Sequence, residues 1–161
     1  MKIRISYFYQ IRNFKKYMLP MSVCISDPAW YHDFKGPDHI FIDKRGILNG
    51  LRLKPIIVQG GGNCPCETKD PTNCPLAADY EFNLSLVNFD EMMKGIYIFA
   101  EDYKKRNNIN EEIIMVLIVY EAPNNPCSER YTLIKYFNEH GVECKELDYP
   151  IQQNEEIKIE F

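Results

Sequence analysis

Long apolar runs, an excess of positive charge, repeats and histidine are all scarce in this 161-residue chain, and each scarcity removes a class of protein. The longest apolar stretch, 113–120, is far short of the roughly 18 residues needed to span a bilayer, so no membrane partner is expected. Nineteen basic side chains stand against 23 acidic ones, a net charge of −4. A broad basic face that grips duplex nucleic acid by neutralising phosphates is therefore excluded, whereas a local basic groove is compatible with this balance. The opening MKIRISYF continues into polar residues without an apolar core and cleavage site, so a secretory leader is not expected and a cytoplasmic location is. No internal repeat or low-complexity segment occurs. What is present is a 45% apolar composition with 26% charged residues, which excludes disorder and supplies a core for one domain spanning 1–161.

Hydrophobic patterning divides the chain into elements. Residues 3–8 read as a short strand, and 19–25, apolar on both faces, as a second and central one broken by Asp27-Pro28. The segment 30–54 has weak periodicity and reads as a long excursion, with a short strand at 56–58 ending at three consecutive glycines. Asn88 or Asp90 caps a helix running to about Arg106, whose inward face is Met92, Ile96, Phe99 and Tyr103. A buried strand follows at 113–120, then a Pro- and Asn-rich loop, a helix at 127–140 with Leu133, Ile134 and Phe137 inward and Gly141 at its end, and a strand at 142–147. Strand, helix and strand in so few residues form a βαβ unit with parallel pairing. The expected fold is α/β, a three-layer Rossmann-like arrangement with a mostly parallel sheet. The alternating tail 156–161 reads as an edge strand, which either pairs across a homodimer or closes the chain's own sheet.

In open parallel sheets ligands bind beyond the carboxyl ends of the strands. That rule selects the loops after Phe8, after Ile25 and from Glu121 to Cys127. Glu121 places a carboxylate at a strand end. Cys127, Ser128 and Arg130 then stand at a helix start, where free N–H groups and the positive dipole end favour a phosphate or a thiolate. Arg130 is a further phosphate ligand by its fork geometry. The same residues also fit a plain structural role, with Ser128 capping the helix and Arg130 paired to an acid. Trp30 and Tyr31 either fill core or stack on a base, Arg12 is either solvated or a phosphate ligand, and Tyr7 faces the crevice if the strand order makes the first strand central.

The segment VLIVYEAPNNPCSERYTLIKYFNEHGVECKEL resembles the C-terminal signature of the domain-of-unknown-function 488 family, in which a buried strand ends in Glu and a cysteine opens the next helix in a Cys-His-Arg context. Here Ser128 follows Cys127, and Arg130 comes one position later than the family's Arg. ISYFYQIRNF and MLPMSVCISDPAWYHDF resemble the N-terminal half of a subgroup met in phage and mobile-element genomes. CPCETKDPTNCPLAADYEFNLSLVNF is similar to that subgroup's cysteine-bearing insert and the helix start after it. The resemblance implies Rossmann-like architecture and a link to nucleotides or nucleic-acid bases.

Of six cysteines, Cys64, Cys66 and Cys74 fall within eleven residues, in a loop insert at 59–78 with little core of its own. Three readings stand for them: ligands of Zn²⁺ or an iron–sulfur cluster, a reversible disulfide, or free thiols. For the whole chain two functions stand. One is an enzyme directed at a nucleotide or nucleobase-containing substrate, for example hydrolysing an N-glycosidic bond with Glu121 as acid/base carboxylate. The other is a non-catalytic, phage-type factor that binds a nucleotide or a protein. A third reading makes Cys127 a nucleophile or redox thiol activated by the helix end, and the lack of an evident paired histidine nearby counts against a Cys–His dyad.

Overall fold

Period-two alternation in three strands of this chain decides which residues meet on each face of one sheet. A computed structural model describes residues 1–23, 28–33, 75–120, 122–123 and 128–148. Within them, strands β1 (Lys2–Tyr7), β2 (Met18–Ser22), β3 (Ile114–Val119) and β4 (Cys144–Glu146) form a sheet in the order β2-β3-β1-β4, with every pairing parallel. The register sets Ile3 opposite Met115 and Ile5 opposite Leu117 on β1 and β3, and Leu19 and Met21 of β2 opposite the same two residues. These side chains point to one face. Arg4, Ser6, Val116, Ile118 and Met18 alternate to the other.

The two faces are covered by different material. Helices α1 (Pro75–Ser85), α2 (Phe89–Arg106) and α3 (Arg130–Glu139) all pack on the first, through Tyr80, Leu84, Met92, Ile96, Ala100, Tyr103, Leu133 and Phe137. On the second face lie the 3-10 helices η1 (Phe8–Asn13) and η2 (Ala29–Asp33). In η1 the three-residue turn repeats Phe8, Ile11 and then Phe14 inward, where they join Met18, Tyr31, Val116, Ile118 and Leu147 in a second core. The architecture is thus the expected Rossmann-like α/β fold, with its third layer built from 3-10 turns.

Four expectations shift in detail. Among the described strands β2 is at the edge, not central: Pro20 has no N–H to give a second neighbour, and its burial comes from the layers above and below. Helix α1 begins at Pro75, so the last residues of the expected insert are helical, while 59–74 lie outside the described residues. On α2, Ala100 takes the fully buried position and Phe99 packs half-buried beside it. Helix α3 starts at Arg130, not at Cys127, and Ser128 just before it accepts the Arg130 N–H on its Oγ (3.3 Å), in keeping with the plain structural role open to it. The expected strand at 56–58 and the tail 156–161 also lie outside the described residues. Among the described residues no helix is long and apolar enough to cross a membrane.

Candidate functional site

Connections leave β1 and β3 in opposite directions. From β1 the chain crosses the second face through η1 to reach β2, and from β3 it crosses the first face through α3 to reach β4. Neighbouring strands whose connections diverge leave a crevice at their carboxyl ends. Here the crevice lies between Tyr7 of β1 and Val119 of β3, which are partners in register.

Aromatic rings converge on that point. Phe8, the first residue past β1, packs against Tyr120, the first past β3, with ring centroids 4.8 Å apart. Trp30 and Tyr31 of η2 meet Phe8 edge-on at 6.1 and 5.3 Å. Tyr31 is buried, and its hydroxyl donates to the Pro20 carbonyl (3.4 Å), which ties η2 to β2. Trp30 and Tyr120 keep 44% and 46% of their surface in solvent, so the cluster has a buried floor and an open rim. Large aromatic surface left in water at a strand end is costly unless something else covers it.

Polar groups flank this rim. The Gln10 amide donates to Tyr7 Oη (3.0 Å) and accepts from Asn13 Nδ2 (2.9 Å), which holds the Tyr7 hydroxyl at the crevice edge. Arg12 stands on the outer side of η1, its guanidinium 4.2 Å from the Tyr9 ring centre and its Nε donating to the Tyr9 carbonyl (3.1 Å). Such stacking pre-orients a guanidinium while leaving its terminal N–H groups to solvent or a ligand.

At the start of α3 the chemistry is different. Ser128, Glu129 and Arg130 are all buried. The Arg130 side chain, 1% exposed, brings Nε to 2.7 Å from Glu146 Oε1 on β4. The N–H is not aimed along that line, so the contact is ionic, and Nη1 and Nη2 find no acceptor among the described residues. Burial pushes the Glu146 carboxyl above its ordinary range, and the pull of Arg130 in the other direction is the smaller effect. Nearby Cys144 is pushed up to about 12, chiefly by burial, so its thiol is not a nucleophile at neutral pH.

The residues expected at the site are thus divided. Tyr7 and Trp30 stand at the carboxyl edge, Arg12 beside them on η1, and Ser128 with Arg130 at the start of α3, where Arg130 is held by Glu146. Glu121, Cys127, Cys64, Cys66 and Cys74 lie outside the described residues. Among the described residues no cluster of His, Cys, Asp or Glu is placed to hold a metal ion. Reasoning from sequence missed Phe8, Tyr120 and Glu146. Tyr120 carried a usable signal, since the first residue past a fully buried parallel strand stands at its carboxyl end, the edge where such sheets bind ligands. Glu146 carried none, because only the sheet register brings it to α3. Compared with protein-family models, curated proteins and solved structures, the chain matches none of them, so the carboxyl-edge geometry bears the functional reading.

Proposed function

We propose that the chain binds a nucleotide or another nucleobase-containing ligand at the carboxyl edge of β1 and β3 and hydrolyses its N-glycosidic bond. The observation that carries the reading is the open aromatic rim of Trp30 and Tyr120 over buried Phe8 and Tyr31. Every base has a π-face, and stacking on such a rim contributes about 1–3 kcal/mol per base. Arg12 holds the phosphate. Glu121, next along the chain from Tyr120, stabilises the oxocarbenium-like state and activates water, which adds to the sugar carbon as the base leaves with a proton. Resemblance to the domain-of-unknown-function 488 family supports the same ligand class.

Trp30 is the single tryptophan of the chain, so its emission reports on the site without a label. Adenosine and uridine monophosphates are expected to quench it, and ribose 5-phosphate is not. No change with any base-containing ligand would overturn the reading. Chromatography should show free base released by the native protein and none by Glu121→Gln, which still quenches. Quenching without release in the native protein supports the second reading, a non-catalytic binding factor.

A further inference from the structure

The chain's charge is distributed unevenly. Its first 26 residues contain Lys2, Arg4, Arg12, Lys15 and Lys16 and no carboxylate, against a net charge of −4 overall. Structure gathers three of these cations along one path. In η1 Phe8, Gln10 and Ile11 are buried, and the outward residues are Tyr9, 60% exposed, and Arg12 stacked on it. Lys15 and Lys16 follow before β2, with Lys16 exposed. Register fixes the direction of the path. Phe8 follows Tyr7, which is level with Val119, whereas Lys16 precedes Met18, which is level with Ile114. Those two levels are five residues apart, about 16 Å at the rise of a strand. The path therefore runs from the aromatic rim at the carboxyl edge down the η1 layer to the amino edge.

A mononucleotide uses only the top of such a path. Charges separated by more than about 8 Å at physiological salt are largely screened from one another, so one phosphate cannot satisfy both ends. We infer that the ligand is a single-stranded oligonucleotide, one base stacked on Trp30 and Tyr120, its neighbour against Tyr9, and its phosphates following Arg12, Lys15 and Lys16. An aromatic platform beside a cationic track is the chemistry that binds single strands without reading their sequence. The inference rests on the base-stacking reading above and specifies its ligand.

The test measures fluorescence anisotropy of labelled oligo-dT and oligo-U from one to about a dozen nucleotides, the order of a single-strand site. Trp30 emission is followed in parallel. Affinity should rise with length and fall with salt. Lys15→Ala/Lys16→Ala should weaken the longest oligonucleotide on the order of tenfold and reduce the log–log salt slope by about 1.4, or about 0.7 for each phosphate no longer neutralised. Quenching by mononucleotides should be unchanged in that variant. Affinity independent of length, a salt slope unmoved by the double substitution, or equal binding of polyglutamate would each overturn the oligonucleotide track. None of these touches the stacking reading, which falls only if mononucleotides leave Trp30 unaffected. Comparing the dT and U series separates DNA from RNA as the source of the strand.

Discussion

Arg130 shows how far a residue's role depends on its surroundings. Its position after a strand–loop junction fits a phosphate ligand, yet the folded chain buries it to 1% exposure against Glu146, which retains 27%. A buried guanidinium needs a partner, and removing that partner costs more than the pair itself contributes. Glu146→Ala should therefore lose about 3 kcal/mol, the low end of the range for broken buried pairs because part of Glu146 stays in water. Glu146→Gln keeps an acceptor beside Arg130 but not the charge that offsets the buried guanidinium, so at neutral pH it should lose about 1–2 kcal/mol, less than Glu146→Ala. The sign of the pH dependence follows. A carboxyl raised on folding contributes stability that is complete below its unfolded value, near 4.5, and is lost as pH rises through the folded value. Urea unfolding across that window should show a decline with rising pH that Glu146→Gln removes, and carbon NMR of the carboxyl should titrate above 4.5.

At the scale of elements, local chemistry carries most of the structure. Helix α2 begins where Asn88 Oδ1 accepts the Glu91 N–H (3.1 Å). Asp90 and Glu91 stand at its positive end, and Lys104, Lys105 and Arg106 at its negative one. Asn88→Ala should cost about 1 kcal/mol, read as a shifted urea midpoint with an unchanged slope. Helix α3 closes on Gly141 at φ +81°, with Val142 N–H bonding the Phe137 carbonyl (2.9 Å) and Gly141 N–H that of Asn138 (3.1 Å). Asn138 also bonds both backbone groups of Cys144, donating to its carbonyl (3.1 Å) and accepting from its N–H (3.0 Å), which occupies the outer edge of β4. Caps of this kind are written in neighbouring residues and were legible from them. Helix α1 was not read from hydrophobic period; among its described side chains Tyr80 and Leu84 reach the core.

For the whole molecule, the sheet separates stability from the site. Leu117 and Phe8 are both buried, but Leu117 lies in the core under the helices while Phe8 supports the aromatic rim. Leu117→Ala should lose about 2–5 kcal/mol without altering native Trp30 emission. Phe8→Ala should shift that emission to the red even where circular dichroism shows the fold intact. Measuring both signals through urea unfolding distinguishes the two, and identical emission spectra would mean that Phe8 does not shield Trp30.

The sequence alone determined the parallel α/β class, the course of α2, β3, α3 and β4, and Trp30 as an aromatic after the second strand. These depend on hydrophobic period and capping residues, which act over one or two turns. Only the tertiary structure decided that β1 lies between β3 and β4, and that β2 ends the described sheet. Strand order also decided that Phe8, Trp30 and Tyr120 share one crevice and that Arg130 is paired rather than open. Strand order is set by crossovers spanning dozens of residues and by which layers bury the most apolar surface together, and no local window of the chain contains that information.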